Sequence, residues 1–159
     1  MLCAVLLLLG VLTHAQTNIS GVINSYWEVT GIDKCNNNVT LPVTPIGLAA
    51  GDHVILIQMR GVDAEADNSP AYGSIINLSK SGNYEMFTVQ SVVFNVVTFN
   101  EVVGRLYQLA GRVQLVRVPE YSDAKVVGEV TGQPWNGITG GVIAMIVNGT
   151  LTLNENIDA

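Results

Sequence analysis

Tyr84-Glu-Met-Phe-Thr-Val-Gln-Ser-Val-Val93, Phe94-Asn95 and Val96-Val-Thr-Phe99 are consecutive, two runs of aromatic and β-branched residues with a two-residue break between them. Such residues suit a pleated, half-buried surface, and asparagine in a two-residue loop accepts the left-handed backbone of a tight hairpin. The stretch therefore predicts a hairpin turning at Phe94-Asn95, and an all-β chain around it.

The same signature recurs outward from the hairpin. Val54-Ile-Leu-Ile-Gln-Met59 is opened by Gly51-Asp52, and Val113-Gln-Leu-Val-Arg-Val118 is closed by Pro119. Each has strand length and turn punctuation at one end. Ile19 to Ile32, Val39 to Val43, Ala124 to Val130, Val142 to Val147 and Thr150 to Leu153 complete a series of short strands, and no stretch carries a helical period. After residue 15, Val, Ile and Thr supply 43 residues against 19 for Ala, Glu and Lys, which favours strands. The expected architecture is a small β-barrel or sandwich over residues 16–127, a Gly-rich junction at 128–141, and the first strands of a second β unit at 142–159, with a β-solenoid among the forms it fits. The apolar rhythm stops at Ala159 without a polar cap, so the chain is read as the start of a longer one.

The chain has 159 residues, a net charge of -6 and only seven Lys and Arg. That balance leaves no electrostatic footprint for a nucleic-acid backbone or an anionic lipid surface. Met1 to Leu12 reads MLCAVLLLLGVL, an apolar run too short to cross a bilayer and closed by the small-residue site Thr13-His14-Ala15, which reads as a secretory leader, the alternative being a buried N-terminal strand or helix. The expected leader is residues 1–15, the mature chain begins at Gln16 with no transmembrane segment left in it, and the protein is secreted or held at the cell surface. Cleavage removes Cys3 and leaves Cys35 as the single thiol, so no internal disulfide is available.

Few residues promise chemistry. His53 is the one histidine after the leader, and no nucleophile motif accompanies it. Its position after Gly51-Asp52 fits a hydrogen-bonded histidine where a strand begins. Asp63, Glu65 and Asp67, followed by Asn68, place oxygens at alternate positions as the first half of a calcium loop does, but the sixth-position glycine and twelfth-position glutamate are missing. They are read as a weak calcium set or as a solvated acidic loop; no other cofactor is expected. Trp135 and Asn136, in Gln133-Pro-Trp-Asn-Gly137, are the candidate ligand-binding pair, because an indole face stacks on a sugar ring. The alternative is an aromatic that plugs the seam between two β units. No catalytic residue is assigned.

Taken together, Ile23-Asn-Ser-Tyr26, Gly51-Asp52 with Ile57-Gln-Met59, Gly82-Asn-Tyr-Glu85, Val113-Gln-Leu-Val-Arg-Val-Pro119, Trp135-Asn-Gly137 with Thr139-Gly-Gly141, and Gly149-Thr-Leu-Thr-Leu-Asn154 with Ile157-Asp-Ala159 resemble the N-terminal region of large secreted surface proteins of Bacteroidetes-type bacteria. Those proteins often end in a type 9 secretion sorting domain of the gliding-motility-associated kind, which this sequence lacks. The resemblance implies a surface or extracellular role and carries over no catalytic residue. The function expected is therefore a non-enzymatic structural or adhesive module, its partners being the rest of its own chain and surface glycans or neighbouring surface proteins. The rival is an accessory carbohydrate-binding module of a larger carbohydrate-active enzyme.

Overall fold

A computed structural model describes residues 16–159; the expected leader, with Cys3, lies outside the described residues. The chain is all-β. In order, the strands are β1 (Thr17–Val22), β2 (Ser25–Glu28), β3 (Gly31–Asp33), β4 (Asn38–Thr40), β5 (His53–Gln58), β6 (Asp63–Ala64), β7 (Ile75–Asn77), β8 (Tyr84–Val93), β9 (Val96–Phe99), β10 (Val113–Val118), β11 (Glu120–Tyr121), β12 (Ala124–Thr131), β13 (Ile146–Val147), β14 (Leu151–Leu153) and β15 (Ile157–Asp158), with one 3-10 turn at Leu109–Gly111.

Seven strands make the larger sheet, in the order β2-β10-β5-β8-β9-β4-β3. Its pivot is β8, whose first half pairs with β5 and second half with β9, with a register shift between Val89 and Ser91. A bulge of this kind bends a strand and increases its twist. The first and last strands of the sheet, β2 and β3, are separated in the chain by only Val29 and Thr30, which bond to Val113 and Thr40 respectively. The sheet thus curls until its two edges meet, yet no ladder closes it into a barrel. Its concave face holds one core, including Val39, Leu41, Val54, Leu56, Val97, Val113 and Leu115, all fully buried or nearly so. Each such side chain contributes about 1.5–3 kcal/mol on leaving water. Phe87 and Phe99 stack within this core, their centroids 4.4 Å apart.

The hairpin forms where the sequence places it, but its turn is built differently. Phe94 takes the left-handed backbone, with φ 53°. Asn95 instead faces β4: its Nδ2 donates to the Leu41 carbonyl at 2.7 Å, and its own carbonyl accepts the Leu41 N–H at 2.8 Å. That exchange also ends the expected Val39 to Val43 strand early, because Leu41 bonds across to the turn and Pro42 has no N–H to give.

The second unit is a stack of parallel strands. β12 pairs in parallel with β1 on one side and with β14 and β15 on the other, and β11 pairs in parallel with β13. Thr17, Ala124 and Leu151 fall in one column, Ile19, Val126 and Leu153 in a second, and Gly21, Val130 and Ile157 in a third. The stack repeats its register every 27 residues, from Ala124 to Leu151 and from Val130 to Ile157, a spacing within the usual span of solenoid coils. Ile19, Ala124, Val126 and Val130 form its buried core. The strand β12 runs past residue 128, so the junction expected at 128–141 begins inside a strand, and β1 joins the late strands rather than its sequence neighbours. Gly149 allows the coils to approach: a Cβ there would lie 2.5 Å from Asp123 Oδ1.

Candidate functional site

The expected ligand pair lies on the segment between β12 and β13, which crosses the outer face of the larger sheet. Three polar side chains, two on that sheet and one just before β2, hold the segment down. Gln114, fully buried on β10, grips Gly140 at both ends, donating to its carbonyl at 2.9 Å and accepting its N–H at 2.8 Å. Tyr26 on β2 donates its hydroxyl hydrogen to the Val142 carbonyl and accepts the Gln133 N–H; burial raises its pKa. Asn24 bonds the Arg117 carbonyl and both main-chain groups of Ala144. Because residues 142–144 are bonded to side chains, the strand expected over Val142 to Val147 shrinks to β13.

Within this segment Trp135 is 38 % exposed, so its indole is partly open to solvent. Asn136 is not free beside it. Its Oδ1 accepts the N–H groups of Ile138 and Thr139, both at 2.9 Å, and its main-chain N–H donates to the Thr139 carbonyl at 3.1 Å. The asparagine builds the turn that holds the tryptophan, and its side-chain oxygen is engaged within that turn.

The acidic set is dispersed. Asp63 lies on β6 and accepts the Ser79 hydroxyl at 3.0 Å, while Glu65 accepts the Asp67 N–H at 3.3 Å. Among the described residues, no three His, Cys, Asp or Glu side chains converge on a point that could hold a metal ion. Of the acidic run only Asp63 lies on a strand, paired through β6 to β7, while Glu65 and Asp67 follow in the loop beyond it.

Sequence reasoning missed a charged joint between the two β units. His53 begins β5 and its Nε2 lies 3.4 Å from Glu120 of β11; the other Glu120 oxygen accepts Asn148 Nδ2 at 2.7 Å. Beside it, Arg117 donates to Asp52 Oδ1 at 2.8 Å, and Asp52 Oδ2 accepts the Ala49 N–H at 2.8 Å. Burial works to raise the Asp52 carboxyl, but the Arg117 bond, the Ala49 N–H and the Arg117 charge outweigh it and hold the pKa below the ordinary value. The same pair raises Arg117. Elsewhere, Glu85 collects the N–H groups of Gly104 and Arg105 and the Tyr107 hydroxyl, and burial followed by that bond drives the Tyr107 pKa strongly upward. These groups are far apart in sequence, so no motif announced them.

Finally, the strands β14 and β15 carry exposed apolar side chains. Leu151, Leu153 and Ile157 stack on the buried Ala124, Val126 and Val130 but are exposed, Leu153 by 61 %. A shallow hollow runs from Leu153 through Asn154, Glu155 and Asn156 to Ile157. Among the described residues no helix is long and apolar enough to cross a membrane.

No family model matches the chain, and no curated protein does. Among solved structures it is similar to the tailspike gp61 of Pseudomonas phage phi297, with 17 % identity and TM-score 0.40 over 72 % of this chain and 22 % of that one. It is also similar to the Gp54 tailspike of Acinetobacter baumannii bacteriophage AP22, in complex with A. baumannii capsular saccharide, with 10 % identity and TM-score 0.43 over 86 % and 22 %. A third is the tailspike protein gp49 of Pseudomonas phage LKA1, with 20 % identity and TM-score 0.37 over 88 % and 23 %. The chain spans less than a quarter of the length of each of these structures.

Proposed function

We propose that this chain is a non-enzymatic structural or adhesive module of a secreted or cell-surface protein, in which a curled antiparallel sheet is joined to the first coils of a β-solenoid. The observation that carries the reading is the apolar column of Leu151, Leu153 and Ile157, left open above the buried Ala124, Val126 and Val130. Solenoid coils bury their apolar face only against neighbouring coils, so this face suits a further parallel coil of the same chain. Export by the leader, and kinship with the Bacteroidetes-type surface proteins that the sequence resembles, are part of the same proposal. The non-enzymatic part of the proposal is supported by the sequence, in which no nucleophile motif accompanies His53.

The test adds one coil. A chain carrying a second copy of residues 132–158 after Asp158 should exchange the amide hydrogens of Leu151 to Leu153 more slowly than the parent, because a strand then covers them. Unchanged exchange in a folded, extended chain would overturn the solenoid reading. Robust hydrolysis of polysaccharide, peptide or ester substrates by the purified chain would overturn the non-enzymatic one.

The partly open Trp135 favours one second reading, an accessory sugar-binding module. Binding to a glycan array that is lost in Trp135→Ala, with the fold intact, would support it.

A further inference from the structure

The sequence holds two Asn-Gly pairs that the functional reading leaves unused, Asn136-Gly137 and Asn148-Gly149, and the fold treats them in opposite ways. We propose that Asn136 is a modification site, where the main chain rearranges spontaneously through a succinimide, and that Asn148 is held inert by the solenoid.

The reaction needs a main-chain nitrogen as nucleophile, the asparagine side-chain carbon as electrophile, and water. The Gly137 N–H gives its proton to a solvent base, and the nitrogen attacks Asn136 Cγ. The new C–N bond closes a five-membered ring, and the negative charge of the tetrahedral intermediate gathers on Oδ1. The Cγ–Nδ2 bond then breaks, and Nδ2 takes a proton from solvent and leaves as ammonia. Water opens the resulting imide at either carbonyl, giving aspartate or isoaspartate. The sum is asparagine plus water to an acid plus ammonia, with no oxidant or reductant.

At Asn136 three features of the fold favour the reaction. Among the described residues, the Gly137 N–H donates to no acceptor, so its proton is free to exchange. Oδ1 already receives two main-chain N–H groups, from Ile138 and Thr139, both at 2.9 Å. Donors aimed at the atom where charge develops stabilise the transition state, as in an oxyanion hole. Asn136 is exposed, so water reaches it, and glycine places no side chain over the attacking nitrogen. At Asn148 the requirements fail. The Gly149 N–H is held by the Ser122 carbonyl at 2.7 Å, a bond between coils, and Asn148 Nδ2 donates to Glu120 at 2.7 Å. Attack there would first have to break the stack.

The product alters the site. Isoaspartate inserts a methylene into the main chain between Trp135 and Gly140, whose two ends are fixed by Gln114. The Asn136 turn is then re-spaced and the indole is presented differently. Ageing of the protein thereby acts on the one aromatic face that the sequence singles out.

The experiment incubates the full chain in mildly alkaline buffer at 37 °C and maps peptides over time by mass spectrometry, with isoaspartate methyltransferase labelling. Conversion at Asn136 should run about tenfold or more faster than at Asn148, and Asn136→Gln should remove the first signal without changing the second. The same chain unfolded in urea should convert both pairs at similar rates. Equal or faster conversion at Asn148 in the folded chain, no product at Asn136, or a rate ratio that survives unfolding each overturns the proposal.

Discussion

Asp123 of one solenoid coil caps the next: its Oδ1 accepts the main-chain N–H of Thr150 at 2.6 Å. The upper coil carries one more residue than the lower between its paired strands, since Tyr121 lies opposite Val147 but Ala124 lies opposite Leu151. The extra residue leaves a main-chain donor without a ladder partner, and the carboxylate below supplies one. Asp123→Ala should therefore cost about 1–2 kcal/mol, concentrated in the last coil. Amide exchange should quicken at Thr150 while the larger sheet keeps its protection; an even loss across the whole chain would count against a local cap.

Gln58 ends β5 fully buried. Its amide donates to the carbonyls of Arg60 and Ser79 and accepts the Gln108 N–H, at 2.7, 2.9 and 2.8 Å. Gln58→Leu keeps most of the volume but strands three main-chain groups away from water. We expect a loss of about 3 kcal/mol or more, read as a fall in the urea midpoint. A loss below about 1 kcal/mol would mean that solvent replaces the side chain there.

Asn24 ties the end of β10 to residue 144. Asn24→Ala should release residues 133–144 from the outer face of the sheet at a cost of about 2–3 kcal/mol. Limited proteolysis should then cut this segment before any other part of the chain. Resistance equal to that of the parent would show that Gln114 and Tyr26 suffice.

Acid should weaken the joint. Because the folded Asp52 carboxyl sits below its ordinary value, folding favours the ionised form. Its contribution is complete above the unfolded pKa of about 3.9 and is lost as pH falls through the lower folded value. Asp52→Asn should flatten that acid limb of the stability curve and, by leaving Arg117 unpaired, lower stability near neutrality. A limb as steep as the parent's would assign acid sensitivity to other carboxylates.

Trp135→Ala should change stability by less than about 1 kcal/mol, since the indole is partly exposed and the turn is held by Asn136, Gly140 and Gln114. A larger loss, seen in thermal melts, would favour the seam-plugging role of this residue over a binding one.

The elements read from local pattern were legible. The Tyr84 to Phe99 hairpin and the Val113 to Val118 strand stand within the residues that announced them, because alternation and flanking turn residues are short-range signals. The left-handed position was misplaced by one residue: Asn95 had a better use, bonding Leu41, and the exposed Phe94 took the turn. What the sequence withheld was partnership. Nothing near Thr17 says that its neighbour is Ala124, and nothing in Gln58 or Gln114 distinguishes a buried clamp from a surface amide. The Asp52, His53, Arg117 and Glu120 joint is invisible for the same reason, since its members meet only when β5 pairs with the distant β10. The acidic run shows the same limit, since its spacing does not reveal that Asp63 accepts the hydroxyl of the distant Ser79.

The placement of β1 also has a kinetic meaning. A chain that leaves a ribosome or a membrane pore N-terminus first presents Thr17–Val22 at once, but the strand has nothing to pair with until Ala124–Thr131 emerges. Contacts of such long range form slowly, because the loop between them must be closed before they stabilise anything. The curled sheet between them can assemble first, from neighbours such as β8 and β9, and bring Ile23 and Asn24 to the edge where the solenoid begins. β1, made before every strand of the curled sheet, is then among the last to dock, and the stack starts on a platform that has already folded.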